Sequence, residues 1–168
     1  WADCDKVYNY NTASKSVTVD YNNVVANDEK RDAFYKFVAT FDPANSTSEN
    51  TNIVLTRPFA QLNAKANDVD KIKLSGVTLS TSTVTLTAYS TLNIADGTVT
   101  GADVKTLKAA DVLKDGLLSM NYLLAPADGY VSDVKFTINN SKNIDFGNKY
   151  YNVPLKRNYR TNILGALL

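Results

Sequence analysis

The segment from Ser75 to Gly101, SGVTLSTSTVTLTAYSTLNIADGTVTG, carries the strongest strand signal in the chain. Its apolar residues alternate with serine and threonine at Val77 and Leu79, at Val84, Leu86 and Ala88, and at Leu92 and Ile94. Since successive side chains of a strand point to opposite faces, this alternation gives each strand one buried face. Asp96-Gly97, between apolar residues, favours the two-residue turn of a hairpin. The segment therefore predicts consecutive strands joined by tight turns.

The same alternation recurs in other parts of the chain. It is found at Val17, Val19 and Tyr21, and again at Val134, Phe136 and Ile138. The segment LLSMNYLLAPADG reads as a buried strand followed by a turn. Pro58 cannot donate a backbone hydrogen bond, so it marks an edge, a bulge or a break between strands. Many short strands separated by turns predict an all-β protein, an antiparallel β-sandwich formed by a single domain over residues 1–168.

Helical patterns are scarce, and we expect at most one or two short helices. The best candidate is Asp28–Phe37, which begins with a capping residue and an acidic first turn. A weaker candidate over residues 101–116 fits a loop equally well. The predicted core contains apolar residues of the alternating segments together with Leu55 and Leu62. The full set is Val17, Val19, Leu55, Leu62, Val84, Leu86, Leu123, Val134 and Phe136.

The composition excludes several classes of function. The 168-residue chain has a formal net charge of +1, which gives no basic field for nucleic acid. No continuous apolar segment is long enough to span a membrane. The absence of histidine removes Ser-His-Asp catalysis and His-ligated metals. We therefore predict that the protein is not an enzyme and has no cofactor.

Two polar features have simple structural explanations. The single cysteine, Cys4, cannot form an internal disulfide, and we expect it to be a small buried apolar residue. Asp68 and Asp70 have the spacing of two calcium ligands, but no full ligand loop follows them. We therefore expect these two carboxylates to be solvated charges of a loop, with no bound metal.

The chain ends in the segment VPLKRNYRTNILGALL, whose last six residues are apolar apart from Gly165. Ile163 and Leu167 lie on one alternation face, and Leu164, Ala166 and Leu168 lie on the other. A strand that is apolar on both faces is normally buried on both. Either the chain's own core covers this segment, or another molecule does. The RNYR motif within it could bind a carboxylate or a sugar, but we expect Tyr159 to pack and the Arg157 and Arg160 stems to cover apolar surface.

Four stretches resemble the fimbrillin-type surface proteins of Bacteroidales, which include the type V pilins. They are NDEKRDAFYKF, LTRPFAQLN, LSMNYLLAPAD and VPLKRNYRTNILGALL, and they occur in the order of that family. The resemblance implies a secreted, cell-surface β-sandwich of the fimbrillin/transthyretin-like type. Members are typically exported as lipoproteins, and the pilins polymerise by strand donation after proteolytic removal of an N-terminal segment. In such proteins a WAD-like segment usually follows further strands, so we expect this chain to lack the first strands of a longer precursor.

The resemblance and the apolar terminus together predict a structural subunit of an extracellular, outer-membrane-associated fimbria. The expected partners are copies of the same chain, joined head to tail by β-strand complementation, and anchor or tip subunits. The predicted subunit-interaction residues are Trp1, Tyr159, Thr161, Ile163, Leu164, Gly165, Ala166, Leu167 and Leu168. The alternative is a surface-anchored lipoprotein or adhesin that binds glycans or host proteins, for which the ten tyrosines offer stacking surfaces.

Overall fold

The computed structural model describes residues 1–4, 7–38, 44, 53–108, 110–112, 116–146 and 148–168. Within these residues the regular elements are almost all β-strands. The strands are β1 Ala2–Asp3, β2 Asn9–Asn11, β3 Ser16–Thr18, β4 Ala33–Phe34, β5 Phe59–Ala66, β6 Leu79–Ala88, β7 Thr91–Asn93, β8 Val99–Thr100, β9 Asp103–Thr106, β10 Ala110–Asp111, β11 Leu117–Leu124, β12 Tyr130–Asn140, β13 Asn148–Leu155 and β14 Arg160–Gly165. One α-helix, α1 (Val69–Leu74), and one 3₁₀ turn (Glu29–Arg31) complete the described elements.

Two sheets enclose the main core. In one, β5 lies between β11 and β14. In the other, β6 and β12 are central, β13 flanks β12, and the short strands β9 and β10 both pair with β6. Every second residue of β12 from Ser132 to Ile138 is buried, as the alternation predicts. The all-β sandwich expected from the sequence is therefore confirmed.

Two smaller sheets extend this sandwich. The strands β2, β3, β7 and β8 form one in that order, and β1 pairs with β4 in the other. Leu92 and Val17 face each other across the β3–β7 pair, and both are fully buried. The turn after Ile94 differs from the predicted hairpin. Gly97 has a φ of 77°, whereas Asp96 is not among the residues with positive φ, so only one of the two residues adopts the left-handed region.

All the described strand pairs are antiparallel with one exception, β14, which runs parallel to β5. Its register places Thr161 opposite Leu62 and Ile163 opposite Ala64. The alternation pattern does not indicate this direction, because side chains have a period of two in both parallel and antiparallel strands. The last strand of the chain therefore lies at the edge of the three-stranded sheet.

The predicted core is correct except at Leu55, which is 50% exposed. Pro58 separates Leu55 from β5, which begins only at Phe59, so the apolar triplet Ile53–Leu55 is not part of that buried strand. The remaining predicted core residues are buried. They are Val17, Val19, Leu62, Val84, Leu86, Leu123, Val134 and Phe136.

The predicted helix at Asp28–Phe37 is wrong beyond its first turn. Asp28 does cap a turn, accepting a hydrogen bond from the Lys30 N–H at 3.0 Å. At Asp32 the backbone becomes extended, and the next two residues form β4, which pairs with β1. Sheet pairing therefore overrides the local helical pattern.

Two further expectations are corrected. Residues 101–116 contain the strands β9 and β10 where a helix or a loop was expected, although residues 109 and 113–115 lie outside the described part. Cys4 is exposed rather than buried. No helix among the described residues is both long enough and apolar enough to cross a membrane.

Candidate functional site: the edge formed by the C-terminal strand

The strand β14 has an open edge. The Gln61 N–H donates to the Tyr159 carbonyl and the Asn67 N–H to the Gly165 carbonyl, both at 2.9 Å. Because the N–H and C=O of one strand residue point to the same side, the odd-numbered residues face β5. The backbone groups of Arg160, Asn162 and Leu164 consequently face outward, and no described strand pairs with them. Such an unpaired edge can accept a further strand.

The two faces of β14 differ in their burial. Ile163 and Leu167 are half-buried and pack against the core. With Phe136 and Ile138 they line a cavity of about 10 Å³, roughly the size of one water molecule. On the opposite face, Leu164 is 64% exposed and Leu168 is 66% exposed. The first of the two alternatives, that the chain's own core covers the whole segment, is therefore wrong, because the core covers one face only.

The opposite edge of this sheet, at β11, is closed by side chains. The Asn27 N–H donates to the Met120 carbonyl at 2.8 Å, and the Asn27 Oδ1 accepts from the Met120 N–H at 2.7 Å. The Tyr21 hydroxyl accepts from the Leu124 N–H at 3.1 Å and donates to the Tyr89 carbonyl at 2.9 Å. Burial raises the pKa of Tyr21 above its ordinary value, which keeps this hydroxyl protonated. These contacts occupy both outward backbone groups of Met120 and the outward N–H of Leu124, and so obstruct the pairing of another strand at these two positions.

Asp68 holds the end of the chain. Its carboxylate accepts hydrogen bonds from the Leu167 N–H, at 3.0 and 2.9 Å, and from the Leu168 N–H, at 2.8 Å. Burial alone raises the pKa of this carboxyl, but the backbone hydrogen bonds and the charge of Lys71 outweigh it, so the pKa lies below its ordinary value. Asp68 is 6% exposed, so the prediction that it is a solvated loop charge is wrong.

Trp1 lies at the other end of β5. Its ring makes edge-to-face contacts with Tyr8 and Phe59, with ring centroids 5.6 and 6.4 Å apart. Phe59 begins β5, whereas Asp68 follows its end, and a strand of this length spans roughly 23 Å at ~3.3 Å per residue. The structure therefore does not bring Trp1 together with Leu167 and Leu168.

The remaining predicted interaction residues lie along β14 and the turn before it. Thr161 is half-buried, and its hydroxyl donates to the Pro154 carbonyl at 2.6 Å. Gly165 is half-buried and Ala166 is exposed. A Cβ at Gly165 would lie 3.4 Å from the Tyr150 hydroxyl, which is an ordinary van der Waals contact.

The expectation for the RNYR motif is wrong at two residues. Tyr159, expected to pack, is 62% exposed. Arg157, expected to cover apolar surface, is 9% exposed and donates to the Ala125 carbonyl, the Tyr35 hydroxyl and the Gly97 carbonyl at 3.0, 2.9 and 2.7 Å. Arg157 therefore links three segments that are distant in sequence.

The structural roles of Asn27, Tyr21 and Asp68 are not predicted by the sequence patterns. Asparagine readily adopts the left-handed backbone seen at Asn27, with a φ of 63°, and this tolerance was the available signal there. The position of Asp68 directly before α1 was the available signal for a structural role. In the described part of the chain, no three His, Cys, Asp or Glu side chains come together as a metal site would require.

Comparisons with known proteins give a family and a weak structural similarity. No curated protein matches the chain significantly. Among solved structures, the chain is similar to a protein from Bacteroides uniformis that is provisionally named a cell adhesion protein, at 17% identity and a TM-score of 0.40. This similarity covers 67% of the present chain and 47% of that protein's chain. The match to a family model extends over residues 1–168, and the chain therefore belongs to DUF6562, a family of unknown function.

Proposed function

We propose that the protein is a non-enzymatic structural subunit of a cell-surface filament, a fimbria associated with the outer membrane. Copies of the chain join head to tail by β-strand complementation, and anchor or tip subunits are further partners. The observation that carries this proposal is the open edge of β14, where the backbone groups of Arg160, Asn162 and Leu164 face outward. The sequence resemblance to the fimbrillins supports the same proposal.

The exposed leucines supply the apolar part of the interface. Leu164 and Leu168 lie on the face of β14 that the chain's own core leaves uncovered. An added strand would gain backbone hydrogen bonds along the edge and cover these side chains, each contributing about 1.5–3 kcal/mol if fully buried. Because strand addition joins two different surfaces, it extends into a filament unless the rotation closes a ring.

The closed edge of β11 supports assembly in one direction. Asn27 and Tyr21 already occupy both outward backbone groups of Met120 and the outward N–H of Leu124. Among the described strands of this sheet, β14 therefore offers a second copy the more open edge. This asymmetry favours a regular filament over branched aggregation.

The alternative function, a surface-anchored lipoprotein or adhesin, is favoured by a different observation. Tyr151 and Tyr159 are 67% and 62% exposed, and each lies beneath a lysine ammonium group. Exposed aromatic rings of this kind suit a glycan or protein ligand. This reading needs no contact between copies, so assembly measurements separate it from the first.

The test compares Leu164→Asp with Leu74→Asp. Leu74 is 89% exposed at the end of α1, so its replacement controls for the loss of one exposed leucine. We expect the parent and Leu74→Asp to form filaments by negative-stain microscopy and size-exclusion chromatography. Leu164→Asp should give a folded monomer, because a carboxylate would be buried in the added-strand interface. Filaments from Leu164→Asp, or a parent that stays monomeric at all concentrations, would contradict the proposal.

A further inference from the structure

A groove of about 340 Å³ lies beside the turn between β13 and β14. Its walls are the segment 55–57, the turn residues 156–159, Phe34 and Ala127. We name this feature the turn groove. Its volume is at the lower end of that of small-molecule sites, which suits one sugar ring or a ligand of similar size.

Arg57, one of the cations that line the turn groove, donates hydrogen bonds to the nearby side chains of Asp32 and Asn158. Its Nε donates to both oxygens of Asp32, at 2.8 and 2.9 Å, and its Nη2 lies 2.7 Å from the same carboxylate. Its Nη1 donates to the Asn158 Oδ1 at 3.2 Å, and its guanidinium carbon lies 5.1 Å from the centre of the Phe34 ring. The charge of Arg57 is therefore neutralised, and the side-chain acceptors of Asp32 and Asn158 are already engaged.

Two other cations of the turn groove have no carboxylate partner among the described residues. Arg157 donates only to neutral oxygens, those of Ala125, Tyr35 and Gly97. The Lys156 Nζ lies 5.2 Å from the centre of the Tyr159 ring. A buried guanidinium without a counter-ion attracts an anion, and a second cation nearby strengthens that attraction.

The turn groove therefore offers positive charge, at Lys156 and Arg157, and an exposed aromatic face at Tyr159. We infer that it binds a carboxylate-bearing sugar, a uronic acid residue of an acidic polysaccharide. The carboxylate would pair with Lys156 and approach the Arg157 guanidinium, while the apolar face of the pyranose ring lies on Tyr159. This inference is independent of the filament proposal, because the turn groove uses side chains and not the backbone edge of β14.

The chain provides a matched control pair on another sheet face. The Lys149 Nζ lies 4.6 Å from the centre of the Tyr151 ring, so a lysine again lies over an exposed tyrosine. There, however, Asp133 lies 3.2 Å from the ammonium nitrogen and neutralises it. The two pairs have the same residue types and differ in the uncompensated charge.

The experiment measures binding of a galacturonic acid oligosaccharide and of the corresponding neutral galactose oligosaccharide by calorimetry. We expect the parent to bind the acidic probe and not the neutral one, with weaker binding at high salt. Lys156→Gln should weaken binding about tenfold, since a hydrogen bond to a charged group contributes about that much. Tyr159→Ala should also weaken it, whereas Lys149→Gln and Tyr151→Ala should not.

Three outcomes would overturn the inference. They are equal binding of both probes, no binding of the acidic probe, and unchanged affinity in Lys156→Gln. Lys156 and Tyr159 are surface side chains, and circular dichroism would establish that both variants fold. Filament formation by Lys156→Gln, measured in parallel, keeps a failure of this inference distinct from a failure of the filament proposal.

Discussion

The Asp68 carboxylate binds the backbone N–H groups of both Leu167 and Leu168, at distances of 2.8–3.0 Å. Chain ends usually fray unless specific contacts hold them. Here a single buried carboxylate binds Leu167 and Leu168, the last two of the three residues that follow β14. The apolar terminus therefore keeps a defined position although Leu168 is largely exposed.

The first prediction concerns the replacement Asp68→Asn. It removes the negative charge that the two N–H groups share, and we expect a loss of about 1–3 kcal/mol in the free energy of unfolding. Hydrogen exchange at the Leu167 and Leu168 amides should accelerate. Asp70→Asn is the control, because Asp70 lies in the first turn of α1, two residues from Asp68, and its side chain is 97% exposed. Unchanged exchange at both amides in Asp68→Asn would show that the carboxylate does not hold the terminus.

The second prediction is the pH dependence of the same contact. The pKa of Asp68 is lower in the folded protein than its ordinary value of 3.8. A carboxyl of this kind contributes its stabilisation above the unfolded pKa, and the contribution is lost as the pH falls through the folded pKa. We expect exchange at Leu167 and Leu168, corrected for intrinsic rates, to rise below about pH 4 in the parent. Asp68→Asn should lack this acid-induced rise, and an identical rise in the variant would assign it to another group.

The third prediction concerns the closed edge of β11. Asn27→Gly keeps a backbone that tolerates positive φ and removes the side-chain hydrogen bonds to the Met120 N–H and the Asp111 carbonyl. We expect a loss of about 1–3 kcal/mol in urea unfolding, because the Met120 N–H loses its partner. Asn143→Gly is the control, since Asn143 also has a positive φ, of 53°, and its side chain is exposed in a turn. Equal stability changes in the two variants would argue against a special role for Asn27.

The fourth prediction concerns the packing of Gly97 against Arg157. A Cβ at Gly97 would lie 2.6 Å from the Tyr35 hydroxyl and 3.2 Å from the Arg157 Nη1. Gly76 has a similar φ, of 74°, but its nearest neighbour would be the Lys142 Nζ at 3.5 Å. Gly76→Ala should cost about 1–2 kcal/mol for the left-handed backbone. Gly97→Ala should lower the free energy of unfolding by more than this in the same thermal unfolding experiment. Equal losses in the two variants would mean that the Tyr35 and Arg157 side chains move aside without strain.

The sequence predicted the β-sandwich and most of its core, because an alternation of apolar and polar residues along a strand follows directly from one face being buried. It could not distinguish the direction of β14, since the period of side chains is the same in parallel and antiparallel sheets. It also placed Leu55 in the core wrongly, because the apolar character of Leu55 does not show that β5 begins only after Pro58. The roles of Asn27 and Asp68 depend on backbone partners 93 and 99 residues away, and no local pattern reports such partners.

Copies of the chain can assemble in two geometries. The register of β14 against β5 allows a disulfide experiment that distinguishes them. In one, β14 stays beside β5 and its edge accepts a strand from the next copy. In the other, β14 itself crosses into the next copy. Ala64 and Ile163 are directly opposite each other, and neighbouring strands are close enough for a disulfide, whose Cα atoms lie about 4.4–6.8 Å apart. A variant with Ala64→Cys, Ile163→Cys and Cys4→Ser can therefore lock β14 in place.

The last prediction is that the oxidised, locked variant forms filaments as readily as the reduced one. The reason is that the parallel pairing with β5 and the hydrogen bonds to Asp68 already hold β14 in its own sheet, while its outward edge is open. Negative-stain microscopy of the two redox forms makes the comparison within one protein, and Cys4→Ser alone controls for the loss of the exposed thiol. Filaments that form only after reduction would show that β14 must leave its sheet, and that it is the donated strand.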